Sequence, residues 1–356
     1  MLEIDGSHGE GGGQILRTAL ALSSIMGKPF RIGNIRMGRK KPGLMAQHLS
    51  AVNAARAVTG ATVSGGEKGS TELAFTPGIV RGGDFTLDIG TAGSASLVLQ
   101  TVIPPLLLAP QKSRITIRGG THVPFSPVVD YIAEIFAPAL ARLGGEIRLR
   151  VSSYGFYPRG GGEVTAEITP TQGLQPIILA GPARIERITG RSAVGNLPLS
   201  IAERQRAAAS DYIREHLPHA DFPVDVEAST VPAPGKGTFI FLKTEMEGGF
   251  AGFAALGEIG KRAEAVGEQA ARALVNFHVS GAAVDPHLAD QLVPYLALAG
   301  GTSSFTTSSI TLHLLTNLWV VEQFLPIRSR ITGKMGEPGE VVISHPPLAP
   351  PADSPE

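Results

Sequence analysis

The sequence predicts an α/β protein in which a large domain of repeated βαβαββ-type units carries a smaller, inserted α/β domain. Three observations lead to this prediction. Glycine-rich segments recur ahead of helical stretches, helix and strand patterns alternate twice in the same order, and the composition changes in the middle of the chain. With 356 residues, of which 43% are hydrophobic and 17% charged, the chain is long enough for two domains and too apolar to be disordered.

The first unit opens on a glycine-rich segment at 9–13. Helical spacing of apolar residues predicts a helix from Gln14 to about Ile25, and a strand follows at 31–36. A second helix is predicted after Gly43 and ends near Thr59, and two short strands then form a hairpin that ends at Pro77-Gly78.

The second unit repeats this order of helix, strand, helix and paired strands. Its predicted elements are a strand at 85–90, a helix at 94–108, a strand at 114–118, a helix at about 127–143, and strands at 146–151 and 163–168. The repetition indicates that both units fold in the same way.

The third part of the chain contains the predicted insertion. Charged residues become more frequent at 184–279, which is therefore expected to form the small domain, while 1–183 and 280–340 form the large one. The earlier pattern returns after the insertion with a helix, Gly300-Gly301, a strand and a last helix. The proline-rich tail 346–356 is predicted to be disordered.

Composition and charge exclude several classes of protein. The 31 basic and 31 acidic residues give no net charge, which argues against coating of nucleic acid but allows a local basic patch to bind one strand end. The sequence has no cysteine, so disulfides, thiolate metal sites and cysteine nucleophiles are excluded. No apolar run approaches the roughly 18 residues of a membrane span, and the first residues lack a signal pattern, so a cytoplasmic protein is expected.

Two segments have the residues to bind phosphate. In Gly9–Gln14, backbone N–H groups ahead of a helix would face an anion, with Glu10 holding a divalent ion and Arg17 reaching the same anion. The basic run 36–43 also leads into a helix, and Gln47 and His48 follow it. A flexible turn and a solvated basic surface explain the same residues equally well. Common phosphate-binding signatures are absent from the sequence.

Two further segments allow opposite interpretations. His313 would lie in the first turn of a helix, where the dipole keeps an imidazole neutral and nucleophilic, although a histidine between leucines is more often a core residue. Asp290 and Gln291 have groups that fit a ribose or an adenine edge, but the segment 285–291 could equally cap a helix.

Taken together, these segments identify a resemblance. Over nearly its whole length the chain resembles the RNA 3′-terminal phosphate cyclase family. The segments that carry the resemblance are Asp5-Gly6 with Gly9–Arg17, Arg39–Leu44 with Gln47-His48-Leu49, Gly93-Ser94 with Leu97–Thr101, Gly155–Gly162, Leu288–Leu292 and His313–Asn317. The stretch Phe156-Tyr157-Pro158 before three glycines is highly specific to that family.

The resemblance implies an enzyme that needs ATP and a divalent metal, Mg²⁺ or Mn²⁺, and whose partner is RNA with a 3′-phosphate end. A histidine, His313 by position, would take AMP from ATP and pass it to the RNA phosphate, which the neighbouring 2′-hydroxyl then cyclises. Glu10 would hold the metal. The positions implied to contact ATP, phosphate or the RNA end are Gln14, Arg17, Arg36, Arg39, Gln47, His48, Gln100, Pro127, His287, Leu288, Ala289, Asp290 and Gln291.

Two departures from the family and two alternatives accompany this interpretation. The segment Ser308–Leu312 before His313 differs from the one that is common in the family. Many members have a tyrosine against the adenine where this chain has His287, so stacking there is expected to be weaker or sensitive to pH. The first alternative is the family's non-catalytic branch, which acts in ribosomal-RNA processing and lacks the histidine. The second is an enolpyruvyl-transferase-like enzyme, suggested by the repeats alone. The oligomeric state is not predicted.

Overall fold

The computed structural model describes residues 1–345, so the tail 346–356, predicted to be disordered, lies outside the described residues. The described strands are β1 Leu2–Asp5, β2 Phe30–Gly33, β3 Thr62–Ser64, β4 Leu73–Thr76, β5 Asp84–Asp88, β6 Ser113–Gly119, β7 Glu146–Ser153, β8 Gly162–Thr169, β9 Ile178–Leu179, β10 Arg184–Gly195, β11 Val224–Thr230, β12 Gly237–Glu247, β13 Ala251–Leu256, β14 Thr302–Thr307, β15 Arg328–Thr332 and β16 Gly339–Ser344. The helices are α1 Gly13–Met26, α2 Ala46–Thr59, α3 Ala95–Leu107, α4 Val129–Tyr131, α5 Ala137–Arg142, α6 Leu199–His216, α7 Ala263–Ser280, α8 Pro286–Leu298 and α9 Leu312–Phe324.

The first two units have the same topology. Their sheets have the strand orders β1-β2-β4-β3 and β5-β6-β8-β7. In each sheet the first two strands are parallel, joined by α1 or α3, and the last two form an antiparallel hairpin. A parallel pair requires such a helical crossover, because its strands must start at the same edge. The predicted βαβαββ repeat is therefore confirmed.

A third unit has the same order, β9-β14-β16-β15, but a long segment separates its first two strands. This segment, which contains α6 and α7, forms the remaining sheet, β11-β10-β12-β13, with a hydrophobic core of its own around Ile188, Ile240 and Leu274. Phe239 and Phe241 pack instead into the core of the repeated units. Thus the predicted fold class is confirmed, while the division into domains at 183/184 and 279/280 stays a prediction.

Two local differences from the predicted elements have physical reasons. The helix expected at about 127–143 begins at Val129 and contains a π-helical turn, Ile132–Phe136. The turn ends two residues before Pro138, which has no N–H to donate. The strand expected at 31–36 ends at Gly33, because the chain then turns through two residues with positive φ, Asn34 and Arg36. The Arg36 guanidinium stabilises this turn by donating to the carbonyls of Lys41 and Gly43 at 2.9 and 2.8 Å.

Candidate active site

A cleft of about 720 Å³ lies where the units and the inserted sheet meet. The glycine-rich loop before α1, the segment at 36–48 and the first turn of α9 form one end. The start of α8, the loop before α4 and strand β13 form the other. Residues far apart in sequence therefore surround one space, which has a charged end and a largely apolar end.

The glycine-rich loop is attached directly to α9. A Cβ atom on Gly9, whose φ is 56°, would lie 2.3 Å from Thr316 Oγ1, so a larger residue would push the loop off the helix. The backbone N–H of Glu10 donates to the same hydroxyl at 3.1 Å, across 306 residues of sequence. The ring of His8 also stacks on Trp319, with centroids 3.8 Å apart. These contacts place Glu10 at the N-terminal end of α9.

The start of α1 is open to an anion. Its N-cap residue, Gly12, has no side chain that could accept from the first-turn N–H groups, and Gly12, Gly13 and Gln14 line the cleft. A Cβ on Gly13 would lie 2.5 Å from His48 Nε2, so the close approach of α1 to α2 requires glycine there. Uncapped N–H groups and the helix dipole favour a bound phosphate at this position.

His313 and Glu10 form the central pair of the cleft. His313 Nε2 lies 3.1 Å from Glu10 Oε2, and Arg39 pairs with the other carboxylate oxygen. The hydrogen bond to Glu10 raises the pKa of His313 above its usual value. Burial would raise the pKa of Glu10, but His313 and Arg39 hold it below its usual value. The helix dipole still disfavours the protonated ring, but the Glu10 carboxylate outweighs it because the carboxylate is closer and bears a full charge. The expectation that the helix terminus keeps the imidazole neutral is therefore wrong.

Replacing Glu10 by glutamine should lower the pKa of the His313 imidazole, since the neutral amide removes the charge that stabilises the protonated ring. In wild-type protein free of metal, the ring should titrate above about 6.5, the value for an unperturbed histidine. The measurement is an NMR titration of the His313 ring protons in both proteins. An unchanged His313 midpoint in Glu10→Gln would contradict the assignment.

Arg17 lies at the bottom of the charged end. The side chain is half-buried and its tip reaches the cleft, and burial lowers the pKa of its guanidinium to about 10. Within residues 1–345 it has no carboxylate partner within 4.0 Å. Burial, together with the nearby Arg17 and Arg36, lowers the pKa of His48 to about 3, so this ring is neutral. An anion in the cleft would therefore meet a half-buried cation that has no ion-pair partner among the described residues.

The other end of the cleft is suited to a planar, partly polar group. Its walls include Leu97, Pro127 and Val128, and the oxygen of the Gln291 amide is buried there without a hydrogen-bond partner. A buried acceptor without a partner is unfavourable unless a ligand donates to it. The side-chain oxygen of Gln14 is likewise buried without a hydrogen-bond partner among the described residues.

The Asp285 side chain forms hydrogen bonds to three of the elements that surround this end of the cleft. Its carboxylate accepts from Tyr131 Oη at 2.8 Å, from the N–H of Gly252 at 3.1 Å, and from the N–H groups of His287 and Leu288 at the start of α8. Burial raises the pKa of Asp285. The side chain thus fixes α4, β13 and α8 around the cleft. Burial also raises the pKa of Asp290, one turn further along α8, to about 6.

The cleft contains most of the residues that the sequence suggests. Those that line it are Glu10, Gln14, Arg17, Arg36, Arg39, Gln47, His48, Gln100, Pro127, His287, Asp290, Gln291 and His313. Leu288 and Ala289 do not; both side chains are fully buried in the core. The helical period places residues 287, 290 and 291 towards the cleft and the two between them away from it, so contacts of ATP with Leu288 and Ala289 stay a prediction and would involve their backbone atoms.

Several lining residues were not predicted. They are Leu97, Phe125, Ser126, Val128, Tyr131, Gly252 and Ala254. Gly252 and Ala254 alternate on β13, and this spacing of small residues is a sequence signal for close approach, but nothing in the sequence indicates which surface approaches. Phe125 lies between two prolines in a loop, where an aromatic residue has no core to join.

The residues present fit a divalent ion brought with phosphate rather than one held by protein alone. Residues 1–345 contain no group of three or more His, Asp or Glu side chains placed to hold a metal. Glu10 is a single carboxylate beside the uncapped start of α1. Mg²⁺ is commonly bound in this way, by one or two carboxylates, substrate phosphates and water.

No described helix is both long and apolar enough for a membrane span.

Fold and site together define a protein of repeated βαβαββ units with a cleft that is lined by arginines and contains a histidine paired with a glutamate. The sequence model of a family described as RNA 3′-terminal phosphate cyclase matches residues 8–331. A protein of that name from Methanopyrus kandleri is 44% identical over 96% of this chain and 98% of its own. The protein of that name from Archaeoglobus fulgidus is 45% identical over 91% of this chain and 96% of its own length. The one from Methylococcus capsulatus is 46% identical over 91% of this chain and 91% of its own length. The chain belongs to the RNA 3′-terminal phosphate cyclase family.

Proposed function

We propose that this protein converts the 3′-terminal phosphate of RNA into a 2′,3′-cyclic phosphate in an ATP-dependent reaction with His313 as the nucleophile. Family membership supports the overall reaction. The observation that carries the proposal is the arrangement around His313, a half-exposed imidazole 3.1 Å from Glu10 in a cleft that also contains Arg17 and Arg39. The cations suit a polyphosphate, and an accessible imidazole suits covalent transfer of a nucleotide.

The proposed reaction has three displacements. A deprotonated nitrogen of His313 attacks the α-phosphorus of ATP, the bond to the β-phosphate oxygen breaks, and pyrophosphate leaves. An oxygen of the RNA 3′-phosphate then attacks the same phosphorus, the P–N bond breaks, and RNA-(3′)pp(5′)A forms. Finally the 2′-hydroxyl attacks the 3′-phosphorus and loses its proton, and AMP leaves. Activation is needed because a phosphate dianion is a poor electrophile, whereas an anhydride has a good leaving group.

The chain's own residues would orient and neutralise the reactants. Arg17 and the start of α1 would hold phosphate oxygens, since within residues 1–345 Arg17 has no ion-pair partner and the helix start has no side-chain cap. Because the Glu10 carboxylate accepts, the nitrogen of His313 that faces it would hold a proton in this contact, and that proton must pass to solvent before this nitrogen can attack. A divalent ion, Mg²⁺ or Mn²⁺, held by Glu10 and phosphate oxygens, would supply additional neutralisation of phosphate charge. The 2′-hydroxyl needs little further positioning because it neighbours the phosphate.

The main alternative is a non-catalytic ribosomal-RNA processing factor. That branch of the family lacks the histidine, whereas this chain has His313 and places Glu10 in contact with it. An enolpyruvyl-transferase-like activity has no supporting observation beyond the repeats.

The test is an assay of purified protein with ATP, Mg²⁺ or Mn²⁺, and an oligoribonucleotide that carries a labelled 3′-phosphate. We expect the label to become resistant to phosphatase, AMP to form in equal amount, and mild acid to restore a phosphatase-sensitive end. An oligonucleotide with a 2′-deoxy terminal sugar is the control, since it can be adenylylated but cannot cyclise. Failure to obtain a phosphatase-resistant end with either metal would refute the proposed function.

A further inference from the structure

Phe125 stands out among the residues of the cleft. Its side chain is fully exposed, at 102% of the reference value, although it lines the same cleft as His313 and Arg17. An aromatic ring normally contributes to a core or an interface, and a fully exposed one beside a polar cleft makes no such contribution. The ring therefore has both faces available to a ligand.

The backbone of Phe125 is also in an unusual conformation. Its φ is 63°, in the left-handed region that bulky residues rarely adopt. Such a conformation persists only where the surroundings impose it, and it is often associated with function. Glycine or asparagine would relieve the unfavourable conformation, yet the position holds the residue type that presents the largest flat apolar surface after tryptophan.

The loop that carries Phe125 is anchored at both ends and inside. The N–H of Val129 donates to the carbonyl of Thr121 at 3.1 Å, and the N–H of Gly155 donates to the Thr121 hydroxyl at 2.9 Å. Within the loop, Ser126 Oγ donates to the carbonyl of Val123 at 3.1 Å. The exposed ring is thus held on a closed loop, which lowers the entropic cost of binding a ligand against it.

We propose that Phe125 is a substrate-binding residue whose ring stacks on an unpaired nucleobase at the mouth of the cleft. This inference rests on the proposed function, which brings two such bases to the cleft, that of ATP and that of the terminal RNA nucleotide. Stacking on an exposed aromatic ring is the usual way in which proteins hold single-stranded nucleic acid, and it does not depend on base sequence. Both sources share this chemistry, and the experiment separates them.

The first measurement is affinity without turnover. Phe125→Trp provides a fluorescent ring at the site, and the parent protein, whose only tryptophan is Trp319, is titrated in parallel as background. Three ligands are added separately: ATP, an oligoribonucleotide with a 3′-phosphate, and the same oligonucleotide with an abasic terminal sugar. Quenching by ATP identifies the ATP base, and quenching by the intact but not the abasic oligonucleotide identifies the RNA base. No quenching beyond the parent's with any ligand would overturn the proposal.

The second measurement compares variants in the assay of the proposed function. Phe125→Leu and Phe125→Ala should raise KM for the substrate whose base stacks by roughly 5- to 150-fold, whereas Phe125→Tyr should stay close to wild type. Tyr157→Ala removes another exposed aromatic residue, which does not line the cleft, and serves as the matched control. Wild-type KM values for both substrates in Phe125→Leu would overturn the proposal.

A third variant separates binding from stability. Phe125→Gly should retain or raise Tm, because glycine accepts a positive φ, while the affinity falls as in Phe125→Ala. A merely structural role predicts the opposite, a lower Tm. If wild-type protein forms no cyclic ends but the Phe125→Trp titration responds to a base, the proposed function fails and the stacking inference stands.

Discussion

Replacing His313 by alanine is expected to abolish transfer of AMP to the protein. With ATP labelled at the α-phosphate and a divalent metal but no RNA, wild-type protein should retain label after denaturation, and the variant should retain none. The rate of cyclisation should fall by at least about 10⁴-fold, because the nucleophile is removed rather than weakened. The wild-type label should be labile to acid and stable to base, as a phosphoramidate is.

Two controls make this result specific. His216→Ala removes an exposed histidine on α6, which does not line the cleft, and it should be labelled like wild type. RNA that is already adenylylated at its 3′-phosphate should still be cyclised by His313→Ala, since the last displacement does not use the imidazole. Full labelling of His313→Ala would assign the nucleophile to another residue, and the mechanism proposed above would be wrong.

Replacing Arg17 by alanine should reduce the rate of AMP transfer on the order of 10³-fold, the size expected when a cation that stabilises a phosphoryl-transfer transition state is lost. The same change should leave Tm unchanged or raise it. Within residues 1–345 the half-buried guanidinium has no ion-pair partner, so its partial desolvation is not compensated and its removal should not destabilise the folded state. The measurements are single-turnover labelling and thermal unfolding of the same preparation.

Arg17→Lys tests whether a positive charge alone is sufficient for the wild-type rate of AMP transfer. Lysine keeps the cation but has no planar fork, so an intermediate rate is expected. Arg56→Ala, which removes an exposed arginine on α2 that does not line the cleft, is the matched control and should have the wild-type rate. A loss of stability in Arg17→Ala, with a rate that falls only in proportion to unfolded protein, would show that Arg17 supports the fold instead.

Local features of the sequence were sufficient to predict the repeats. The first two sheets share one strand order, and this follows from patterns that lie within each unit, namely helical spacing, strand alternation and glycine turns. The third unit was harder to recognise because its first strand, β9, has only two residues and is separated from β14 by the inserted sheet. A two-residue strand has no periodicity from which to predict it.

The residues of the cleft were predicted mainly by resemblance, and their relations to one another were not predicted. Helical spacing indicates that His287 and Asp290 share a face, yet it does not indicate that this face meets β13. Tyr131 was missed because its hydroxyl binds Asp285 across 154 residues of sequence, a contact that no local pattern shows. Phe125 was missed because exposure and a positive φ are properties of the folded chain.

The sequence by itself determined the order of the elements, the glycine positions and the chemical types available to the site, since these depend on neighbours along the chain. Only the tertiary structure decided that Glu10 contacts His313, and hence that the pKa of the imidazole is raised rather than lowered. The physical reason is distance. A carboxylate 3.1 Å away outweighs the partial charge of the helix terminus, and packing of the glycine-rich loop on α9 sets that distance.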